Sequence, residues 1–380
     1  MLSSGAHQVH GMGTALEAPS WPPITLAEAS AVLARWPQAG VPVRLAWHSP
    51  RPFSAATLVE TAAGMLFLKR HHHTVRSVAG LGAEHAFLRH LAEHGQPVVR
   101  PLADAQGQTA LAMGDWVWEA HPVAPGDDLY RDAPSWTPFH SEAHAHAAGA
   151  ALARLHRAAA DYAAPARPAE PLVSSATILG SGDPLRAAVD YVAARPALAD
   201  WVAGRPWQEE LAEVLARHDA PAVAGALQAR PSLWTHNDWH PSNLTWTAAG
   251  TIAAVLDFGL ADRGFALLDL AIALERSTVR WLELDSGSQN LAQIADARAL
   301  LAGYASQAPL DAADRALLAR LLPLAHVEFA LAEVDYFAGT VRRQADAALA
   351  WQGYLLGHAA WFRGSEGQAL LAAIAGGASL

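Results

Sequence analysis

Two acids and an amide, Asp238, Asn243 and Asp257, are spaced as the transfer of a phosphoryl group from a nucleotide requires. The chain reads Trp234-Thr235-His236-Asn237-Asp238-Trp239-His240-Pro241-Ser242-Asn243 and then, one short hairpin later, Val255-Leu256-Asp257-Phe258-Gly259. In that chemistry one carboxylate positions the attacking hydroxyl and accepts its proton. A second carboxylate and an amide oxygen hold the magnesium that bridges the phosphates. A lone Asp-Phe-Gly carries little weight in a chain of this length. The His-x-Asp-x-x-x-x-Asn run before it, in this order, makes the pair specific.

The elements that must position these groups are legible. Leu244-Thr245-Trp246 and Ile252 to Leu256 are apolar or β-branched, and Thr247-Ala248-Ala249-Gly250-Thr251 between them reads as a turn. Pairing of the two strands places Asn243 and Asp257 at one end of the hairpin, close enough to share a cation. Magnesium accepts few protein oxygens beside phosphate and water, which suits one amide and one carboxylate.

Lys69 is the single lysine among 26 lysines and arginines. It ends the strand-like run Met65-Leu66-Phe67-Leu68-Lys69, and Glu84 follows early in a helical pattern that continues to Ala92. A compact ammonium on a strand, held by a glutamate on the next helix, fits the neutralisation of α- and β-phosphates.

Composition narrows the field. At 380 residues with 52% apolar content, the chain can bury a large core in two lobes. A formal charge of −10 without a basic run argues against nucleic acid as partner. The absence of cysteine excludes disulfides and thiolate metal sites. No signal-peptide pattern and no apolar stretch long enough for a membrane span is apparent, so a cytoplasmic location with access to nucleoside triphosphates is expected.

Along the chain, residues 1–24 read as a disordered tail. Thr25 and Glu28 form a capping box opening a helix to about Trp36. Strands are expected at 43–47, 56–61, 65–69, 97–102 and 109–113, with the Glu84 helix among them. Residues 25–118 are thus expected to form a nucleotide-binding lobe with a small mixed sheet. Asp115 to Pro122 reads as a strand leaving that sheet, and Pro122, Pro125 and Gly126 mark a hinge over 119–126. Backbone groups from Glu119 to His121 are the candidates for the adenine edge. Helices are expected at 146–156, 183–203, 207–218, 263–283, 289–305, 311–337 and 342–362, forming an α-rich lobe over 127–380 with the acceptor pocket. Residues 163–171 read as a loop.

These motifs resemble the aminoglycoside phosphotransferase and choline kinase family, which includes type II homoserine kinases. The likeness covers roughly residues 25–340. It rests on the His236–Asn243 loop, Leu256 to Gly259, Asp269-Leu270-Ala271 and the segment Ala151 to His156. It implies an α+β, two-lobed protein-kinase-like fold that binds ATP and Mg2+. By motif position it implies Asp238 as catalytic base, Asn243 and Asp257 as metal ligands, Lys69 and Glu84 as the ATP-anchoring pair, and Asp269 as a brace for the catalytic loop. Only about ten residues separate Gly259 from Asp269, which leaves no room for a protein-kinase activation loop. The expected acceptor is therefore a small molecule: an amino alcohol such as homoserine, a sugar or an aminoglycoside.

One stretch departs from the pattern. The phosphate-covering loop, expected between about Ala46 and Leu58, contains no glycine, so its backbone cannot readily bend close to phosphate. Ser49, Arg51 and Ser54 are candidates to reach phosphate with side chains. This loop is also the one support for a second reading, a catalytically idle kinase-like ligand-binding protein.

Other features have plain readings. His71 to His73 and His140, His144 and His146 suggest metal by spacing, but solvated surface explains them. His236 reads as a buried side chain bonded to backbone, whereas His240 faces either substrate or solvent. Trp351, Tyr354, His358 and Trp361 read as core, or as an aromatic wall of the acceptor pocket. Glu275, Glu283, Glu328 and Asp335 read as a solvated acidic face, or as attraction for a cationic acceptor.

Overall fold

The computed structural model describes residues 7–12, 15–173 and 176–376. The chain divides into two units, Met1–Pro125 and Gly126–Leu380.

In the first unit, apolar alternation builds a five-stranded sheet in the order Pro42–His48, Ala55–Thr61, Gly64–His72, Trp116–Pro122, Leu111–Met113, every neighbouring pair antiparallel. Side chains alternate across it. Leu66, Leu68, Trp118 and Ala120 belong to the core that includes Val32, Leu33 and Trp36 of the Leu26–Leu33 helix and the turn after it. Thr25 caps that helix as expected: Glu28 N donates to Thr25 Oγ1 (3.2 Å) and Thr25 N to Glu28 Oε2 (2.8 Å). Glu28 also pairs with buried Arg70, whose guanidinium lies 4.1 Å from the Trp116 ring centre.

The Val78–Glu93 helix meets the other face of the sheet, where its His85 bonds Glu119. The strand expected at 97–102 does not form; Pro97 and Pro101 lack the N–H groups that a ladder needs. The expected disordered tail is also corrected for its described residues. Val9–His10 pairs with Leu16–Glu17, and His10 N donates to Pro50 O (2.8 Å), burying Val9. Residues 1–6, 13 and 14 of that tail lie outside the described residues.

The second unit is mostly helical, with two small antiparallel ladders that hold the loops of interest. Ser232–Thr235 pairs with Asp262–Phe265, and Leu244–Trp246 with Ile252–Val255. The Ala266–Ser277 helix follows directly, so the helix expected over 263–283 begins as a strand and ends early. Prolines break two other expected helices, giving Pro184–Ala193 and Pro196–Val202, and Ala312–Leu321 and Val327–Asp335 on either side of Pro323. Glu142–Ala159 packs closely on Ile294–Ala305 through Gly149 and Gly303.

Candidate active site

The Asp238 loop is held from behind by one buried carboxylate. Asp269, in the first turn of the Ala266–Ser277 helix, accepts from His236 N (2.9 Å), Asn237 N (2.8 Å) and His156 Nε2 (2.9 Å). Burial alone would raise the Asp269 carboxyl, but these bonds and the His156 charge hold it below the ordinary range. His156 is oriented in turn by Tyr304, whose hydroxyl lies 2.9 Å from Nδ1. The accepting carboxylate so placed fixes two consecutive amides and leaves the next residue, Asp238, at the loop tip.

His236 is structural, as its sequence position suggests. It is buried, its Nε2–H donates to Leu256 O (2.9 Å), and Nδ1 accepts from Asp238 N (3.2 Å). Desolvation pulls its pKa down to about 4, which matches a neutral ring with one donor and one acceptor. Asn237 has φ = 61°, a left-handed conformation that Asn tolerates. Its Oδ1 lies 2.9 Å from Thr235 Oγ1 and its Nδ2 donates to Leu260 O (3.2 Å), joining the Asp238 loop to the segment after Gly259.

The hairpin brings Asn243 and Asp257 together. Leu256 N donates to Asn243 O (2.8 Å), so the residue after Leu256 stands beside Asn243. Asn243 Nδ2 donates to Asp238 O (2.9 Å) and Oδ2 (3.1 Å), which turns Oδ1 the other way. Asp257 is exposed and takes φ = 53°. That left-handed residue reverses the chain into Phe258, which is buried against the His236 ring at 4.6 Å. Arg167, in the expected 163–171 loop, clamps the same turn from inside. Its Nη1 donates to Gly259 O (3.1 Å) and Ala261 O (3.2 Å), and its N–H donates to Asp262 Oδ1 (2.7 Å).

Arg276 escaped the sequence reading. One heptad after Asp269 on a buried helix, it forms an ion pair with Asp238. Its guanidinium lies 4.6 Å from the Phe329 ring centre and bonds the Tyr354 side chain. Glu333 is buried, its Oε2 has no hydrogen-bond partner, and burial pushes its carboxyl up to about 8. Its neighbour in this cluster, Glu275, is pushed up to about 7 by burial and lies 2.7 Å from His358 Nδ1. His358 stacks on Trp281 (3.5 Å), while Trp351 Nε1 donates to Glu210 Oε2 (2.8 Å). Of the expected aromatic set, Tyr354 and His358 thus belong to the Arg276–Glu275 cluster, and Trp351 is core. Glu328 is not solvated: it is buried and accepts from Ile178 N (2.9 Å). His240 faces inward, its Nε2 lying 3.5 Å from Asp238 Oδ1.

In the first unit, Lys69 sits opposite Glu119 on the neighbouring strand, and Glu84 is buried on the Val78–Glu93 helix. The expected adenine edge at Glu119 and His121 needs correction. Ala120 O accepts from Leu102 N (2.7 Å), so by strand alternation the backbone groups of Glu119 and His121 face the Gly64–His72 strand and belong to the ladder. Their side chains do something else. Glu119 Oε2 lies 2.8 Å from His85 Nε2 and 2.9 Å from His121 Nε2, and Oε1 lies 3.1 Å from His71 Nε2. His71 is therefore buried rather than solvated. His140 precedes its helix and stacks on Tyr130 (4.0 Å), and His144 stacks on Trp246 (4.1 Å).

An antiparallel sheet unit followed by a helical unit, whose Asp loop is braced by buried Asp269 and whose Asp-Phe-Gly turn is clamped by Arg167, defines an α+β protein-kinase-like fold. Solved structures share it. A microcompartment-associated aminopropanol kinase is 17% identical with a TM-score of 0.53, covering 88% of this chain and 99% of that one. An amicoumacin kinase in complex with AMP-PNP, Ca2+ and Ami is 16% identical with a TM-score of 0.53, covering 79% of this chain and 84% of that one. A homoserine kinase of Caulobacter sp. (strain K31) is 30% identical over 256 residues, 66% of this chain and 68% of that one. Residues 53–310 match the phosphotransferase enzyme family. The chain belongs to that family, as a small-molecule kinase.

Proposed function

We propose that the protein transfers the γ-phosphoryl group of ATP, with Mg2+, to the hydroxyl of a small amino alcohol, homoserine being the first candidate. The observation that carries this reading is the joint placement of Asp238, Asn243 and Asp257. Asn243 bonds the catalytic-loop carboxylate through its amide nitrogen and turns its oxygen away, while its backbone oxygen fixes the residue before Asp257. Asp238 then orients the hydroxyl and takes its proton, and the Asn243 and Asp257 oxygens hold the metal. Lys69, with Glu84, supplies the ammonium for phosphate. Little covalent chemistry is asked of the protein, because the transition state is loose and positioning dominates. Nucleoside triphosphate supply places the reaction in the cytoplasm.

The Arg276 cluster favours homoserine over the other acceptors. A guanidinium beside the catalytic carboxylate offers a bidentate site for an acceptor carboxylate. Homoserine carries that carboxylate; aminopropanol and aminoglycosides lack it.

The test is ADP release with ATP and Mg2+ against homoserine, 3-aminopropanol, sugars and aminoglycosides, with Asp238→Asn as control. Turnover on homoserine that vanishes in the control supports the reading. ATP binding without turnover on any acceptor would sink it in favour of an idle ligand-binding protein, the reading that the glycine-free loop supports. Asp257→Ala is expected to lose the Mg2+-dependent part of ATP affinity by calorimetry; an unchanged affinity removes Asp257 as a ligand.

A further inference from the structure

The three histidines around Glu119 lie in the first unit and take no part in the proposed chemistry. His85 projects from the Val78–Glu93 helix, and Glu119 and His121 are two apart on one strand and so share a face. Three ligand atoms, one from each of these residues, lie within 4.8 Å of one another. His85 and Glu119 are buried, and the His121 side chain is 15% exposed.

From this juxtaposition we propose that His85, Glu119 and His121 form a Zn2+-class site, with water as the fourth ligand on the open His121 side. Two imidazole nitrogens and one carboxylate oxygen are the donor set of many tetrahedral zinc sites. Both nitrogens approach the same oxygen, Oε2, at 2.8 and 2.9 Å. Zinc bonds of about 2.0–2.2 Å put neighbouring ligands somewhat over 3 Å apart, so small rotations of the His121 and Glu119 side chains make room.

The outer shell is already in place. His85 Nδ1 lies 2.8 Å from Thr109 Oγ1, and the second carboxylate oxygen lies 3.1 Å from His71 Nε2. Such partners orient ligating rings and carboxylates around zinc. Lys69, across the strand from Glu119, and Arg76 are cations whose charge reaches this cluster, and the Glu119 carboxylate counters them.

Without metal, the same four side chains make a self-satisfied hydrogen-bonded cluster around one carboxylate, and the experiment separates the two cases. Full-length protein, prepared without metal-affinity chromatography and stripped with EDTA, is titrated with Zn2+ at pH 7.5 and, separately, with Co2+. Expected are one equivalent of Zn2+ per chain above any weak surface binding, a rise in Tm, and intense visible Co2+ bands of a tetrahedral site. His121→Asn, at the more exposed position, is expected to lower Zn2+ affinity at least tenfold, and His85→Ala with His121→Ala to abolish the Co2+ bands. His90→Ala with His94→Ala, which removes a neighbouring pair of histidines at the end of the Val78–Glu93 helix, is expected to leave both signals intact. Less than a tenth of an equivalent bound by the wild-type protein overturns the site. So does undiminished affinity in His121→Asn, or loss of the signals in the His90/His94 variant. If the double variant fails to fold, His121→Asn alone decides. None of these readouts depends on kinase activity, so the site stands or falls apart from the proposed reaction.

Discussion

At the scale of single residues, Asp238 is defined by what surrounds it: an amide donor from Asn243, the His240 ring and the Arg276 guanidinium. An Asp238→Asn variant keeps the volume and the loop but loses the acceptor for the hydroxyl proton. We expect kcat to fall by about 10²–10⁴ with ATP affinity retained, read by steady-state kinetics and calorimetry. Retained turnover would remove Asp238 as the base. Arg276→Gln addresses the acceptor. Loss of a bidentate partner for a carboxylate is expected to raise KM for homoserine at least tenfold while sparing any activity on 3-aminopropanol, which has no carboxylate to lose. Equal losses on both alcohols would instead make Arg276 a brace for Asp238.

At the scale of elements, the site depends on how closely two helices approach. A Cβ on Gly149 would collide with the Leu300 carbonyl oxygen, and one on Gly303 with the carbonyl oxygen of His146. The contact is reciprocal: each glycine accepts the backbone of the other helix. His156 and Tyr304, which support Asp269, project from these two helices. Gly149→Ala therefore gains helix propensity yet is expected to destabilise by about 2 kcal/mol through overpacking, seen as a lower denaturant midpoint. A neutral or stabilising result would show that the helices can separate without cost. The same logic explains an error in reading the sequence. The 263–283 stretch has helical periodicity throughout, but Asp262–Phe265 is drawn into a ladder by Ser232–Thr235, a tertiary demand that local pattern does not contain.

At the scale of the whole molecule, buried ionisable groups link stability to pH in two directions. Burial raises Glu333 from 4.5 to about 8 and Glu275 to about 7. Groups raised in the fold contribute stability below about pH 4.5 that is lost as pH climbs through 7 to 8. Burial lowers His71, His236 and His326 from 6.5 to about 4. Their contribution is present above about pH 6.5 and is lost as pH falls toward 4. Glu333→Gln removes one alkaline liability. Its Tm should match the wild type near pH 5 and exceed it by a few degrees at pH 9. A difference that does not grow with pH would mean that Glu333 is already ionised at neutrality.

The sequence by itself determined the parts of this protein that are local. The Thr25 capping box, the Gly64–His72 strand carrying Lys69, and the hairpin that joins Asn243 to Asp257 depend on residues a few positions apart, where propensity and turn chemistry decide. The motif order also sufficed for the fold and the family, since it encodes the loops that the fold must hold. Only tertiary structure decided which charges face one another. Arg276 reads as one more helical arginine until the Ala266–Ser277 helix packs its side chain against Asp238, 38 positions earlier. Arg167 reads as part of an Ala/Pro loop until it caps the Gly259 and Ala261 carbonyls. Glu119 and His121 suggested a backbone edge for adenine, but the ladder consumes those backbone groups and the side chains meet His85 from a separate helix. Such meetings are set by long-range packing of apolar faces, which fixes where a polar side chain ends without leaving a trace in the residues beside it.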